Sequence, residues 1–504
     1  MQIEEMISKN RAECCGCEAC ANICPKNAIT MTRDAEGFAY PKINPDLCIK
    51  CGRCDATCPS LNFKETFPDM LPKAFVATHH DKKILRHSSS GGAFTALSEI
   101  ILREGGVVFG AAFDRKWRVV HFVARTLDEL ENLRGSKYVQ SQIGDVYRQV
   151  RDALKSQKVL FSGTPCQCAG LKHFLGGDHE NLLTADLICH GVPSPALWEY
   201  YIDSIDAEHE IAHVNFRSKR ISWARYNFEI NFNDRDYYAD LLDSNLYVKL
   251  FLRGLAQRPS CYTCKFKFPN GKSDLTLGDA WGVQNYAPEM LDKRGVSVVF
   301  IHTAKGKYFF EQTNMKAQPV NSYRALASNR HFVTAMVADP RRESFFADCV
   351  KATDKLAVME KYFYQDDETI RNEVLGRERR NFKTKYNAVA EHLRKHFKRN
   401  VLVVTSPPDE AAQKSLDNYL VQEFADCGVY LLKFQEPGKL TYTKVFSSLT
   451  AELKEDFAAL INFVKQFNIT EIYVEEPPKF DSSVVTEWLK TCGLPVRTFS
   501  PNAE

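Results

Sequence analysis

The stretch CCGCEACANICP, residues 14–25, is answered at residues 48–59 by CIKCGRCDATCP, and these two runs decide how the chain is read. Both have the form C-x2-C-x2-C-x3-C-P: Cys14, Cys17, Cys20 and Cys24 precede Pro25, and Cys48, Cys51, Cys54 and Cys58 precede Pro59. Two-residue spacers let successive thiolates reach three irons of one cubane, while the fourth cysteine, displaced by a turn, ligates the other cluster. The spacing therefore predicts two [4Fe-4S] clusters: cluster one on Cys14, Cys17, Cys20 and Cys58, cluster two on Cys48, Cys51, Cys54 and Cys24. Each proline removes a backbone donor and fixes the chain as it leaves the site. Paired zinc knuckles also use C-x2-C, but a structural zinc closes with four ligands and has no need of eight cysteines at matched spacing. Cys15 is left over.

Outward from these runs, composition narrows the setting. No stretch approaches the ~18 consecutive apolar residues of a spanning helix, and Met1 to Asn10 lacks an apolar signal core. A cytoplasmic protein without a membrane span is expected. That compartment is reducing, so the 17 cysteines, nine of them between Cys14 and Cys58, are read as metal ligands or catalytic groups rather than disulfides. Lys plus Arg number 66 against 63 Asp plus Glu, and a net charge of +3 makes no electrostatic case for nucleic acid or an anionic membrane.

At roughly 100–200 residues per domain, 504 residues imply several units. The expected fold is multidomain, α+β and α/β. Residues 1–66 form a bacterial-type ferredoxin domain. Residues 73–354 form a central α/β domain, in which strand-like runs (Ala74 to Thr78, Val107 to Phe113, Lys158 to Ser162, Val296 to His302) alternate with helical ones (Ala93 to Arg103, Val146 to Ser156). Residues 355–399 read as a charged, solvated helical linker. Residues 400–504 read as a small α/β domain with a parallel sheet: strands Asn400 to Thr405, Val429 to Phe434, Glu471 to Glu476 and Pro495 to Phe499, helices around Glu410 to Asp426, Thr450 to Phe467 and Ser483 to Thr491.

Four further cysteines fall in the central domain: Cys166, Cys189, and the pair Cys261 and Cys264. Cys166 and Cys189 each follow a strand-like run, and cofactor sites in open α/β sheets gather at the carboxyl ends of parallel strands. A third [4Fe-4S] cluster and a set of buried free thiols both fit this pattern. Cys168 competes with Cys166, but two residues apart at a strand-end turn only one of them should point into a site. Ser88 to Gly92 precedes a helical run; it reads either as a phosphate-approaching loop at a helix N-terminus or as an ordinary serine cap. Neither a dinucleotide fingerprint nor a phosphate-binding loop motif accompanies it.

Taken together, SSGGAFTAL (89–97), RGSKYVQS (134–141), GTPCQCAG (163–170), LICHGVP (187–193), RSKRISW (217–223), Cys261 with Cys264, DLTLGDAWG (274–282) and RGVSVVFIHT (294–303) resemble the family of coenzyme F420 hydrogenase/dehydrogenase beta subunits. The resemblance covers about half of the chain and leaves residues 400–504 aside. It implies a flavin and iron-sulphur oxidoreductase in which Cys166, Cys189, Cys261 and Cys264 hold a [4Fe-4S] cluster beside FAD. It also implies FAD contacts at Ser89, Ser90, Gly91, Gly92, Gly135, Ser136, Lys137 and Tyr138, with Thr164 and Gln167 facing the flavin. His190 is a candidate proton donor or partner of a cluster sulphur, and equally a structural histidine; Lys219 and Arg220 are candidates for an anionic substrate or flavin phosphate. The expected activity is electron transfer between a ferredoxin-like or other redox protein and an unidentified small-molecule substrate. The alternative is a non-catalytic relay that feeds a partner enzyme.

Overall fold

Runs of Val, Leu, Phe and Ala with hardly a charge among them supply the strands of the large central sheet, as expected of strands covered on both faces. The computed structural model describes residues 2–67, 71–206, 209–234, 237–242, 244–365 and 367–396, and beyond these 400–405, 428–436, 439–444, 450–454, 469, 471–475 and 494–499. The chain divides into two compact units, one of residues 1–66, 75–318 and 329–382, the other of 67–74, 319–328 and 383–504.

In the first unit, β1 (Ile29–Arg33) and β2 (Ala39–Ile43) form an antiparallel hairpin in the cysteine-rich segment. The strands β3 (Lys73–His79), β4 (Val107–Phe113), β5 (Val119–Ala124), β6 (Val159–Gly163) and β7 (Leu182–Leu187) come next. A separate three-stranded antiparallel sheet follows, of β8 (Ile211–Ser218), β9 (Asn227–Phe232) and β10 (Tyr238–Leu241). The chain then returns with β11 (Leu275–Asp279), β12 (Ser297–Ile301) and β13 (Met315–Val320) to an eight-stranded sheet of order β13-β3-β12-β11-β7-β6-β4-β5. Its centre, β11-β7-β6-β4, is parallel. The strand β12 is antiparallel to β11, and β5 to β4.

Alternation along the strands sorts the two faces. Val108, Leu160, Leu183 and Leu275 pack under Ala96, Leu97, Ile100 and Ile101 of the Ala93–Arg103 helix. Val107, Phe109, Val159, Phe161 and Leu182 face Tyr147 and Val150 on one helix, and Leu171 and Phe174 on the Pro165–Leu175 helix. The latter helix begins with Thr164 and Gln167 in a reciprocal cap and with Pro165 at its first position, and it ends on Gly176 in the left-handed region. Cys15, Cys17 and Ala19 belong to this same buried cluster, so the ferredoxin segment shares its core with the sheet. Polar contacts fix it further. The carboxylate of Glu18 accepts the Ile143 and Gly144 amides at 3.0 Å each, and Arg148 donates to the Asn22 carbonyl at 2.7 Å and to Asn27 Oδ1 at 2.8 Å.

Residues 355–396 differ from a solvated linker. They form two helices, Lys355–Tyr364 and Glu368–His396, and the first buries Met359 and Tyr362 among Trp198, Phe345 and Phe346. The second unit carries β14 (Asn400–Thr405), β15 (Gly428–Glu436), β16 (Lys439–Lys444), β17 (Thr450–Lys454), β18 (Glu471–Glu475) and β19 (Val496–Phe499) in the order β17-β16-β15-β14-β18-β19. The expected parallel strands are present, β15-β14-β18-β19. The sheet is nevertheless mixed, because β16 and β17 add antiparallel strands at one edge. KLTYTK alternates apolar with threonine, a strand period, and Thr450–Lys454 pairs with it where a helix was expected to begin. The expected helices around 410–426 and 483–491, and the rest of 450–467, lie outside the described residues.

Two buried imidazoles tie the first unit to pH. The Nε2–H of His121 donates to the Ser162 carbonyl at 3.1 Å, and His302 Nε2 lies 2.9 Å from Thr276 Oγ1. Burial lowers both to about 4 from an ordinary 6.5. The folded state then binds fewer protons than the unfolded one between these values, so stability rises with pH. The urea midpoint is expected to fall steadily as pH drops from about 6.5 towards 4, and His121→Asn should flatten part of that slope.

Candidate iron-sulphur centres

Local backbone geometry builds the cysteine loops. Glu18 (φ 61) and Gly52 (φ 70) sit in the left-handed region at the start of the short helices Ala19–Ile23 and Arg53–Thr57, turning the chain so that sulphurs on either side converge. Cys14, Cys17, Cys20 and Cys58 line one cavity, together with Ile3, Met31, Pro41 and Pro59. Cys24, Cys48, Cys51 and Cys54 line a second, with Ile29, Ile43 and Ile49. Backbone amides already point at its sulphurs, Ala28 N at 3.2 Å from Cys24 Sγ and Lys50 N at 3.4 Å from Cys48 Sγ. Cys14, Cys17, Cys20 and Cys58 at the first are all buried, whereas Cys51 is exposed at the second.

A third cavity collects Cys166, Cys189, Cys261 and Cys264. The strands β6 and β7 are parallel neighbours, with Gly163 beside Asp186, and Cys166 and Cys189 leave their carboxyl ends on the same edge of the sheet. The Gly191 and Val192 amides donate to Cys189 Sγ and Cys261 Sγ at 3.3 Å each. Cys168 is fully buried in the core instead. The two cysteines diverge because both lie on the Pro165–Leu175 helix, where residues two apart face opposite sides, and not on a turn. The chain region 12–15 and Ser60 also wall this cavity, so it is closed jointly by the ferredoxin segment and the central domain.

Cys15, left over in the sequence, lines both the first and the third cavities, with its thiol within hydrogen-bonding reach of Cys17 and Cys166. The donor sets fit iron-sulphur cubanes. Burial pushes the Cys58 and Cys261 thiols up to about 12, so four thiolates in such cavities ionise only against a multivalent cation, as metal binding provides.

The two glycine-serine segments expected at a flavin also meet. Ser136 N and Oγ lie 2.7 and 2.9 Å from Ser89 Oγ. Ser90 Oγ donates to the Val296 carbonyl at 2.8 Å, and the Gly91 amide to Ser297 Oγ at 2.9 Å. Gly91 has no room for a side chain: a Cβ would lie 2.2 Å from the Ala77 carbonyl oxygen. Because Ser297 on β12 is opposite Asp279 on β11, the loop sits on the sheet edge that carries Cys166 and Cys189. From β12 to β6 is three strand steps, about 14 Å.

Other expected roles change. Gln167 is buried and spends its amide on Thr164 N (3.0 Å) and Ser141 Oγ (2.9 Å), bracing the helix start, while Thr164 Oγ1 lies 3.1 Å from Cys166 Sγ. Lys137 turns onto the Asn132 and Arg134 carbonyls at 3.0 Å each, and burial lowers it to about 7. Tyr138 is a packing residue, its hydroxyl 3.3 Å from that of Tyr226. Lys219 donates to the carbonyls of Leu85 (2.9 Å), Ser90 (2.7 Å) and Arg294, and burial lowers it, too, to about 7. Arg220 is paired with Glu229 at 2.6 Å and stacked on Tyr237. His190 is buried against His331, ring centroids 4.1 Å apart, and burial holds it near 4, so it is neutral. Missed from sequence was Arg217. It is ion-paired with Asp279 and lies over Tyr226, and its Nε and Nη2 are buried without an acceptor among the described residues. Only its place in the RSKRISW stretch could have flagged it.

Comparison with known proteins assigns regions of the chain to families. Models of the N-terminal and C-terminal parts of coenzyme F420 hydrogenase/dehydrogenase beta subunits match residues 74–148 and 156–321, and a 4Fe-4S dicluster domain matches residues 13–62. The central region belongs to the family of coenzyme F420 hydrogenase/dehydrogenase beta subunits. An F420H2 dehydrogenase component of Methanosarcina mazei is 23% identical over 192 residues, 35% of this chain and 53% of that protein. Thus the chain spans about half the length of that family relative. The VorC component of the ketoisovalerate oxidoreductase of Methanothermobacter marburgensis is 36% identical over 55 residues, 10% of this chain and 70% of that protein. A structure of the F420-reducing [NiFe] hydrogenase complex of Methanosarcina barkeri contains a chain with 18% identity and a TM-score of 0.36, covering 54% of this chain and 94% of its own. The dicluster match over residues 13–62 makes the chain a 4Fe-4S protein. Among its described residues, no helix is long and apolar enough to cross a membrane.

The close approach of the ferredoxin segment to the sheet gives a test. A Cβ on Gly170 would lie 2.9 Å from Cys17 Cβ and 3.0 Å from Cys17 Sγ. Gly170→Ala is expected to displace Cys17 and cost one cluster, about four irons per chain, with circular dichroism of the remaining fold unchanged; iron analysis of the purified variant checks this.

Proposed function

We propose that this protein moves electrons between a one-electron partner protein and a small-molecule substrate, using both clusters of the ferredoxin segment, a third [4Fe-4S] cluster on Cys166, Cys189, Cys261 and Cys264, and FAD. The observation that carries this reading is the shared wall: Cys15 and Ser60 line both the cluster-one cavity and the third cavity, so only one layer of side chains separates them. When bound, clusters pass single electrons and a flavin exchanges one or two, which lets it deal with an organic substrate.

The chain's own residues have distinct tasks in this scheme. Cys24, Cys48, Cys51 and Cys54, at the exposed end, face the external carrier. Amides at Gly191 and Val192, with Lys267 donating to the Cys189 carbonyl, fix the third set of sulphurs and direct positive dipoles at them. The joined loops of Ser89 to Gly92 and Gly135 to Tyr138 offer a binding edge for the flavin. Arg217, with two unspent donors, is suited to the acceptor atoms of a flavin ring. His190 and His331 pack together beside Cys189 and, kept neutral by desolvation, are not acids at neutral pH.

A non-catalytic relay is the second reading, and one observation favours it: Lys219 and Arg220, the cations expected to meet an anionic substrate, are both committed within the fold. Stopped-flow mixing separates the two, since a relay reoxidises only with a protein partner. Composition is the primary test. Anaerobic analysis should return about twelve irons and one FAD per chain, and Cys166→Ser about eight irons; eight irons with no flavin in the unaltered protein would reduce the central domain to a scaffold.

A further inference from the structure

Arg258 is fully buried, yet no carboxylate lies within ion-pairing distance of it among the described residues. Its Nε donates to the Cys14 carbonyl at 2.8 Å, Nη1 to Gln140 Oε1 at 3.1 Å and Nη2 to the Ala39 carbonyl at 3.0 Å. Nη2 also lies 3.6 Å from Cys14 Sγ, and the guanidinium stacks 4.2 Å from the centre of the Tyr40 ring. Gly16, at φ 68, permits this approach, because a Cβ there would lie 2.7 Å from Nη1. Glu18 is buried nearby, but its oxygens are taken by the Ile143 and Gly144 amides.

A guanidinium in a dry interior is costly unless an anion compensates it, and arginine does not escape by losing its proton. The ionisable groups around this one are the sulphurs of Cys14, Cys15 and Cys261, the Tyr40 phenol and, beyond ion-pairing distance, the Glu18 carboxylate. A cubane with four thiolate ligands carries net negative charge, and reduction adds one more.

We propose that Arg258 is the counter-charge of the cluster held by Cys14, Cys17, Cys20 and Cys58, and that it raises the potential of this cluster above that of cluster two. The cations beside cluster two, Lys26 and Arg53, are exposed to water and act through a high dielectric. Arg258 acts through protein. One electron enters cluster one, no bond is made or broken, and the fixed charge stabilises the reduced state. Electrons arriving at the exposed cluster therefore settle beside the wall shared with the third cavity. The inference rests on the two-cluster reading of residues 13–62 and not on the third cluster, so finding about eight irons leaves it standing.

The test is a potentiometric titration of the anaerobic full-length protein followed by electron paramagnetic resonance, with iron content measured in parallel. In the unaltered protein, the two ferredoxin-segment signals should differ by at least tenfold in reduction equilibrium, about 59 mV for one electron. Arg258→Gln should lower the upper one by about that amount and leave the other in place, while Arg258→Lys, which keeps the charge, should retain more than half of the separation. Unmoved potentials in Arg258→Gln at full iron content, or equal shifts in both variants, would overturn the proposal. Should both variants lose iron, the unaltered protein decides: its separation should persist in 1 M salt, where exposed charges are screened within ~3 Å. A separation below tenfold, or one that collapses in salt, overturns it.

Discussion

Thiolate sulphurs held away from water must be matched by positive charge, and this requirement organises the first unit. Each of the three cavities brings four cysteines together in largely apolar walls of Ile, Pro, Met or Phe. Burial pushes the Cys58 and Cys261 thiols up to about 12, so ionising them there calls for a compensating cation. Backbone amides donate to the sulphurs of Cys24, Cys48, Cys189 and Cys261, where they would meet the negative charge of a bound cluster. Beside Cys14 a guanidinium takes that place. The apolar packing of Cys15, Cys17 and Ala19 against the sheet core fixes where the charges have to balance.

The parallel arrangement of β6, β7 and β11 explains why the site forms where it does. Chain direction delivers Cys166, Cys189 and Asp279 to one edge, and the antiparallel β12 returns Ser297 and the Gly91 loop to that same edge. The ferredoxin segment then closes the edge from outside, using Glu18, Asn22 and the carbonyls that Arg148 gathers. The cysteine sets and the joined Ser89 and Ser136 loops are thereby gathered at one sheet edge.

What the sequence revealed follows the range over which each signal acts. Cysteine spacing is local, so the grouping of eight sulphurs into two sets could be read directly, and the strand-end position of Cys166 and Cys189 followed from the periodicity around them. The strands of 400–475 were located to within a residue or two from apolar runs. The edge hairpin escaped, because the threonine-rich Lys439–Lys444 run has few apolar residues and Thr450–Lys454 is charged enough to pass for the start of a helix. Side-chain roles set by distant partners were not legible. Lys219 meets carbonyls 75 to 134 positions away, and Arg258 meets groups 118 to 244 positions away. Periodicity carries no trace of such contacts.

The burial of cluster one also constrains how the protein is made. Cys17 and Cys20 are each only 7% exposed, and helix Pro165–Leu175 leaves no space above Cys17. A scaffold that hands over preformed iron-sulphur units needs access to the receiving sulphurs. Delivery to this position must therefore come before the segment seats on the sheet, whereas the outer position, with Cys51 in contact with solvent, can be refilled in the finished molecule.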